Sequence, residues 1–344
     1  MVVLYGLWGV HYVRAEHEAA RAVALECLRL SEPHAQDEAA VLANYLMGDT
    51  LWATGEFVEA RQHLERSIAL CAPARGVAKA ERARHNHDIT ALSYLAWTLW
   101  PLGYPDQAIA AAQQAAHRAR ESGHVPLIAF VSFVEVFLAT ALAATDAPIA
   151  ASTDQAIAYS VEHGVTAYEL WTRFCLGITV ARRGEARRGV EIMRAAMEAL
   201  AQIDAKILRP LHFGHLAAAH ASLGEIDIGL GLIDEAIHVA GSTGERVFEA
   251  ELHRLHGELL IDHGKKEAAE TALQAAIGAA RGQQARLWEL RAATRLARLR
   301  HDLGRDGEAK QTLAPIYGWF TEGFDTVDLK AAKGVLDELA RAGD

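Results

Sequence analysis

The amino-acid sequence predicts an all-α fold, a right-handed superhelix of about eight helical hairpins with a C-terminal capping helix. Three observations lead to this prediction. Glycines recur every 40 residues in the second half of the chain, small side chains recur at fixed offsets from them, and apolar residues follow a helical period in between. A sustained period of this length indicates stacked units that each contact only their neighbours.

The first series of small residues marks the turn inside each hairpin. It consists of Gly184, Gly224, Gly264 and Gly304, with the earlier counterparts Ala15, Gly55, Gly103 and Asp146. Glycine suits this position because a left-handed residue commonly ends a helix. The fourth hairpin, 126–164, has Asp146 instead of glycine and is the least regular.

Two further series place small side chains on both helices of each hairpin. One lies seven residues before the turn, at Gly48, Ala96, Ala139, Gly177, Ala217, Gly257 and Ala297, and the other lies five residues after it, at Ala20, Ala60, Ala108, Ala151, Gly189, Gly229, Ala269 and Ala309. Two helices approach to about 8–10 Å, and small facing side chains permit this. Larger residues such as Leu64, Met193 and Leu273 are expected to fill the layer between hairpins.

The repeats are predicted to occupy residues 1–324, with an irregular insertion at about 72–90. The glycines Gly55 and Gly103 stand 48 residues apart, so about eight extra residues separate the second and third hairpins. Residues 325–344 are predicted to form the capping helix, because apolar residues between Leu329 and Leu339 form a single stripe. A solenoid needs such a cap to cover its last hairpin.

Composition and charge narrow the class of function. The chain has 344 residues, a net charge of −10 and basic residues scattered among acidic ones, which argues against nucleic-acid binding. The apolar run 1–12 is too short to span a bilayer, so no membrane contact is expected. Three cysteines lie far apart and match neither a disulfide framework nor a metal motif. We expect a cytoplasmic protein.

Metal binding and catalysis are both disfavoured. The His212/His215 and His253/His256 pairs have helical spacing, but no HExxH motif occurs and no cysteine lies nearby in sequence. A metal site around His85 and His87 stays open as a minor alternative. Because no paired-carboxylate or aspartate-rich motif is present, we expect no enzyme, no catalytic residue and no cofactor.

The order of small residue, turn glycine, alanine, bulky apolar residue and alanine resembles the tetratricopeptide repeat (TPR). The period departs from that family, at about 40 residues instead of about 34. The extra residues imply longer helices or longer loops between repeats.

Four segments carry a more specific resemblance: SYLAWTLWPLGYPDQAIAAAQQAAHRARESGH (93–124), GERVFEAELHRLHGELLI (244–261), ELRAATRLARL (289–299) and LAPIYGWFTEGFDTVDLKAAKGVLDEL (313–339). They resemble the C-terminal tetratricopeptide-like repeat arm of bacterial adenylate/guanylate cyclase–ATPase–TPR signalling proteins. The resemblance implies a regulatory arm, similar also to the sensor superhelix of maltose-regulon-type activators. No GxxxxGK[ST] phosphate loop or cyclase aspartate pair is found in this chain.

The tetratricopeptide resemblance also implies which residues line the concave groove. Its first half would be aromatic, with Tyr5, Tyr12, Tyr45, Trp52, Trp97, Trp100, Phe133, Trp171 and Phe174. Its second half would be charged, with Glu251, Arg254, Glu258, Asp262, Arg291 and Arg298. Aromatic residues at helical spacing can instead be core packing, and this alternative has equal weight for any single ring.

The predicted function is therefore non-catalytic binding of a peptide or protein segment in the concave groove, as a scaffold or sensor module. An alternative is a small-molecule sensor in which the aromatic half of the groove stacks a sugar or another flat-faced ligand. Tyr5 and Trp8 on the first hairpin lack a preceding repeat. They are expected to form an exposed edge through which two chains could form a homo-oligomer.

Overall fold

A computed structural model describes residues 1–32, 38–71, 87–142 and 147–342. These ranges contain seventeen α-helices and no β-strand, which confirms the predicted fold class. Most of the insertion expected at about 72–90 lies outside the described residues, as do His85 and the hairpin turn at Asp146. None of the described helices has the length and apolar character to cross a membrane.

The helices pair in chain order into eight hairpins. Hairpin 1 consists of α1 (Val2–Val13) and α2 (His17–Ser31), hairpin 2 of α3 (Glu38–Ala53) and α4 (Phe57–Leu70), hairpin 3 of α5 (His87–Leu102) and α6 (Pro105–Ser122), and hairpin 4 of α7 (Val125–Ala141) and α8 (Ala147–Glu162). Hairpin 5 consists of α9 (Thr166–Arg182) and α10 (Ala186–Gln202), hairpin 6 of α11 (Arg209–Ser222) and α12 (Ile226–Thr243), hairpin 7 of α13 (Glu249–Asp262) and α14 (Lys266–Gly282), and hairpin 8 of α15 (Arg286–Asp302) and α16 (Asp306–Tyr317). A last helix, α17 (Val327–Ala342), packs against α15 and α16.

The hairpin turns use the left-handed residues that the sequence indicates. Gly55 has a φ of 79° and Gly184 a φ of 95°, while Ala15 adopts the same conformation at 58° without being glycine. At the second turn, the Gly55 amide donates to the Trp52 carbonyl at 3.0 Å and the Glu56 amide donates to the Leu51 carbonyl at 2.9 Å. These bonds satisfy carbonyl groups that the end of a helix leaves free.

The small residues bring the two helices of a hairpin into contact. A Cβ atom on Gly177 would lie 2.6 Å from Cγ of Met193, and one on Gly257 would lie 2.7 Å from Cγ of Leu273. Met193 and Leu273 therefore pack inside their own hairpins, as Leu64 does against Gly48. These contacts lie within hairpins and leave the expectation that large side chains also fill the layer between hairpins as a prediction.

The superhelix completes one turn after five hairpins and then contacts itself. The amides of Lys206 and Ile207, just before hairpin 6, donate to the Val13 carbonyl of hairpin 1 at 2.8 and 3.1 Å. In the same way, the amides of Arg246 and Val247 before hairpin 7 donate to the Ala53 carbonyl of hairpin 2 at 3.0 and 3.1 Å. These bonds join successive superhelical turns.

The end of the repeat array makes the third contact of this kind, with hairpin 3. The Glu322 carboxylate accepts from the amides of Asp106 and Gln107 at 3.0 and 3.2 Å. The Gly323 amide donates to the Asp106 carboxylate at 3.1 Å, and the Trp319 ring lies 5.7 Å from that of Tyr104. The segment YGWFTEGFDT (317–326) therefore holds the last hairpin against hairpin 3.

These contacts change the shape that the sequence predicts. The sequence predicts a concave groove that is open to a binding partner and lined by aromatic and charged residues. Because hairpins 1, 2 and 3 contact hairpins 6, 7 and 8, the first helices of the hairpins instead surround an enclosed channel.

The first hairpin also differs from expectation. Trp8 is only 4% exposed and its indole donates to the Thr50 hydroxyl at 2.9 Å, so it points into the channel and does not form an outer edge. Tyr5 is 41% exposed. The exposed apolar edge of α1 consists of Val2, Val3, Leu7 and Val10.

The contact at Gly177 yields a prediction about stability. Replacing Gly177 with alanine places a methyl group against Met193 and 2.9 Å from the Gly189 carbonyl oxygen. We expect Gly177→Ala to lower the free energy of unfolding by about 1–3 kcal/mol through overpacking. Gly231 is the matched control, because it lies inside α12 with open space at its Cβ position.

Gly231→Ala should raise stability by about 0.5–1 kcal/mol, since alanine restricts the unfolded chain and favours the helix. Thermal unfolding followed by circular dichroism measures both effects. Equal melting temperatures for the two variants would contradict close packing at Gly177.

Candidate binding cavities

Two cavities lie in the channel. The larger one, here called the central cavity, has a volume of about 730 Å³ and is bounded by the first helices of hairpins 3 to 8 and by α17. The smaller one, the aromatic cavity, has a volume of about 200 Å³ and is bounded by the first helices of hairpins 1 to 5. Trp97 and Phe137, with ring centroids 5.0 Å apart, belong to the wall between them.

The central cavity collects most of the charged residues that the sequence places in the groove. Glu251, Arg254, Glu258, Arg291 and Arg298 all line it. Asp262 does not, because it lies exposed at the end of α13 and outside the cavity. As binding residues, all six stay predictions.

A network of ion pairs orders these charges. Arg254 donates to Glu251 at 3.0 and 3.1 Å and to Glu258 at 2.5 Å. Arg291 donates two bonds of 2.8 Å to the Asp328 carboxylate and one of 2.8 Å to the Ala141 carbonyl. Bidentate guanidinium–carboxylate pairs of this kind have a fixed geometry.

The same network sets the ionisation of Glu251. Burial alone would raise the pKa of its carboxyl group, but the guanidinium groups of Arg254 and Arg291 outweigh burial and hold that pKa below its usual value. Glu251 is therefore charged at neutral pH. Because its charge is compensated on two sides, it serves to position the arginines.

Arg182 differs from the other arginines of the central cavity. Its guanidinium donates to the Thr140 carbonyl at 2.5 Å, and among the described residues it has no carboxylate within ion-pair distance. Burial lowers the pKa of Arg182, and the positive charges of Arg291 and Arg254 add to this effect. The side chain is nevertheless exposed to the cavity, so it can accept an anionic partner.

The cavity carries an excess of positive charge. Five arginines line it, against the three carboxylates of Glu251, Glu258 and Asp328, which gives 5 − 3 = +2. The arginines are Arg182, Arg254, Arg291, Arg295 and Arg298. The chain as a whole has a charge of −10, so the sign of the cavity is opposite to that of the protein.

The aromatic residues lie on the inner face, but all of them except Tyr5 are buried. Tyr5, Tyr12, Tyr45, Trp52, Trp97, Phe133 and Trp171 line the aromatic cavity, and Trp100 lines the central one. Phe174 lines neither and packs on the His212 ring at 4.2 Å.

The expectation that this half of the groove exposes its rings is wrong. Trp52 is 2% exposed, Trp97 3% and Trp171 9%. The reason is the closure of the superhelix, which brings the first helices of five hairpins face to face. The rings then pack on each other between neighbouring hairpins, for example Trp52 on Trp97 at 5.2 Å, and between hairpins 1 and 3, where Tyr12 meets Tyr94 at 6.4 Å.

Sequence reasoning missed Asp49, which lies in the aromatic cavity. Its side chain is fully buried, and neither carboxylate oxygen has a hydrogen-bond partner. Burial raises the pKa of Asp49 well above its usual value, and the nearby hydroxyls of Tyr12, Tyr94 and Tyr45 offset this only in part. The available signal was a single aspartate between Tyr45 and Trp52 in the mostly apolar helix α3.

The histidine pairs do not converge on a metal site. In the part of the chain that the structure describes, no three His, Cys, Asp or Glu side chains are arranged to hold a metal ion. Burial lowers the pKa of both His212 and His215 to about 3, so both rings are neutral at physiological pH.

Comparison with known proteins identifies the fold. No family model and no curated protein matches this sequence. Among solved structures, the Rap conjugation gene regulator of plasmid pLS20, in complex with the Phr* peptide, is similar at 12% identity with a TM-score of 0.60, over 89% of this chain and 77% of that one. A Rap protein complexed with competence and sporulation factor is similar at 10% identity with a TM-score of 0.60, over 99% and 97%. At this identity the likeness establishes a TPR-like helical solenoid.

Buried His212 predicts a dependence of stability on pH. Its pKa of about 3 in the folded state lies below the ordinary value of about 6.5 in the unfolded chain, so the unfolded chain binds more protons between these limits. Stability is therefore lost as the pH falls below about 6.5. His212 contributes at most about 1.4 kcal/mol per pH unit to this loss.

His212→Gln should make the loss less steep, as measured by chemical unfolding at a series of pH values. His117→Gln, at a side chain 73% exposed, is the control and should leave the slope unchanged. An identical slope for both variants would show that His212 titrates normally.

Proposed function

We propose that this chain is a non-catalytic binding module that holds a peptide or protein segment in the central cavity. The observation that carries the proposal is the Arg182 guanidinium, which faces a cavity of about 730 Å³ with a single carbonyl partner. A volume of this size is typical of sites that enclose a drug-sized molecule or a few residues of peptide.

The charges favour a segment that carries a carboxylate. Arg182 offers unused donors, and an arginine binds a carboxylate through two parallel hydrogen bonds. The excess of two positive charges in the cavity would attract such a group, although the whole chain would repel it. A C-terminal carboxylate or an acidic side chain of the segment would supply it.

The apolar side chains of the central cavity favour a peptide over an inorganic anion as the ligand. Phe137, Ile178, Phe248 and Leu252 line the same cavity as the arginines. A binding site with apolar walls and a few fixed polar groups suits an amphipathic segment. The Rap structure of plasmid pLS20, which has a similar fold, contains a bound peptide.

A second candidate function is small-molecule sensing in the aromatic cavity. Eleven of its sixteen lining residues are aromatic. Its volume of about 200 Å³ exceeds the roughly 150 Å³ of an apolar cavity that holds benzene, so a sugar or another flat-faced ligand of modest size is a reasonable occupant.

The wider role that we propose is that of a regulatory arm in a cyclase- or ATPase-linked signalling protein. The four segments quoted above support this role. One of them includes 317–326, which joins the last hairpin to hairpin 3. A reading frame that continues upstream into cyclase and ATPase modules would support the proposal, and one confined to the repeats would contradict it.

The exposed edge of α1 supports self-association through the first hairpin, because Val3, Leu7 and Val10 form an unpartnered apolar surface. We expect light scattering to give a mass above that of one chain, and Leu7→Asp to reduce it to that of a monomer. A monomeric mass for the unaltered chain would contradict this prediction. The peptide site does not depend on it.

The peptide proposal is tested with a positional-scanning library of fluorescent peptides, half with a free C-terminus and half amidated. Fluorescence polarisation should identify sequences that bind, and acidic or free-carboxylate members should bind best. Arg182→Gln should weaken the best of them at least tenfold, about 1.4 kcal/mol, because the partner of the carboxylate is removed.

Arg187→Gln is the matched control, since the Arg187 side chain is 74% exposed and lies outside the cavity. This variant should bind as the unaltered chain does. Binding that does not distinguish Arg182→Gln from Arg187→Gln would contradict the proposed site, and the absence of any binding peptide would contradict the function.

A further inference from the structure

We propose that the aromatic cavity binds a small organic ammonium ion, with the carboxylate of Asp49 as its counter-charge and the surrounding rings as its walls. This inference deepens the second candidate function by naming the class of ligand. It does not depend on peptide binding in the central cavity.

Asp49 lacks a counter-charge. Both of its carboxylate oxygens are buried, only tyrosine hydroxyls lie near them, and neither Lys, Arg nor His lines the aromatic cavity. In the central cavity, by contrast, Glu251, Glu258 and Asp328 each lie within 4 Å of an arginine. Buried carboxylates are normally paired, because an unpaired one loses its hydration without compensation. A cationic ligand would supply the missing charge.

The walls of the aromatic cavity suit a cation. Eleven of the sixteen residues that line the cavity are aromatic, among them Trp8, Trp52 and Trp97, so rings form most of the wall. The face of an aromatic ring carries partial negative charge and attracts cations, most strongly those with a weakly held hydration shell. Quaternary ammonium groups are such cations, and enclosing aromatic rings bind them without needing hydrogen bonds.

The size of the aromatic cavity suits a small ligand. A cavity of about 200 Å³ is somewhat larger than the roughly 150 Å³ that holds benzene, so it suits a ligand of about seven non-hydrogen atoms. A peptide backbone would not fit this space. A calcium or magnesium ion is disfavoured, since such ions need about six oxygen ligands and the cavity offers a single carboxylate.

Tyr5 marks the side of entry. It is 41% exposed and is the most exposed residue of the lining, while Trp52, Trp97 and Trp171 are almost fully covered. Its ring lies on Trp8 at 6.4 Å and meets His87 edge-on at 5.8 Å. We infer that a ligand enters the cavity at the rim beside Tyr5.

Binding should also be coupled to a proton. The titratable groups that face Asp49 are Tyr5 and Tyr12 from α1, Tyr45 from α3, Tyr94 from α5 and Tyr168 from α9, with His87 behind Tyr45 and His17 behind Tyr12. Burial raises the pKa of Asp49 above its usual range. A cation would favour the charged form and release the proton, so affinity should rise with pH while the empty site is protonated.

The experiment titrates choline chloride into the full chain at constant ionic strength. Four of the seven tryptophans, Trp8, Trp52, Trp97 and Trp171, line the cavity, so intrinsic fluorescence reports on its occupancy, and calorimetry gives the affinity. The uncharged analogue 3,3-dimethylbutan-1-ol has the same shape. We expect choline to bind at least tenfold more tightly than this alcohol, and more tightly at higher pH.

The outcomes distinguish a site for ammonium ions from a site for neutral small molecules. Equal binding of choline and the alcohol would overturn the ammonium site and leave a neutral small-molecule site in place. No binding of either compound would overturn both the ammonium site and the small-molecule function. Binding in the peptide assay is unaffected by any of these results.

Single substitutions test whether choline binds at Asp49. Asp49→Asn keeps the shape of the side chain but removes its charge, so it should weaken choline at least tenfold and leave the alcohol unchanged. Asp227→Asn, at a side chain 91% exposed, is the control and should change neither. Should Asp49→Asn fail to fold, Tyr5→Leu at the exposed rim replaces it and should weaken choline severalfold. Unchanged choline affinity in the folded variant would overturn the proposal.

Discussion

The contact between successive turns of the superhelix is the constraint on which the rest of the structure depends. It consists of backbone hydrogen bonds from the amides of Lys206, Ile207, Arg246 and Val247 to the carbonyls of Val13 and Ala53. Both carbonyls lie at helix ends, where no partner exists within the helix. The contact therefore satisfies groups that an open solenoid would leave to water, and it closes the groove into a channel.

Closure determines how the charges inside behave. Glu251 and Asp49 are both buried carboxyl groups, yet the pKa of Glu251 is lowered and that of Asp49 is raised. The difference lies in their neighbours, because two guanidinium groups face Glu251 and only hydroxyls and rings face Asp49. One channel thus contains a cavity rich in arginine and another with an uncompensated acid. These two environments suit different ligands.

Much of the fold could be predicted because its causes are local. The hairpin turns follow from residues such as Gly184, and the close approach of paired helices follows from Gly177 and Gly257. The inner-face positions of Trp97 and Arg254 were implied by the resemblance to the tetratricopeptide repeat. Their burial could not be predicted, since the superhelical pitch is the sum of small rotations over five hairpins. Asp49 was missed because a single aspartate forms no motif.

Hydrogen exchange of the four amides between superhelical turns is the most direct measurement of closure. Lys206 and Arg246 lie in loops before α11 and α13, so their acceptors, Val13 and Ala53, belong to another superhelical turn. A closed channel predicts that the amides of Lys206, Ile207, Arg246 and Val247 exchange as slowly as those of the neighbouring helices. Exchange of these four amides at the rate of a solvated loop would contradict the closed channel and both cavities that it encloses.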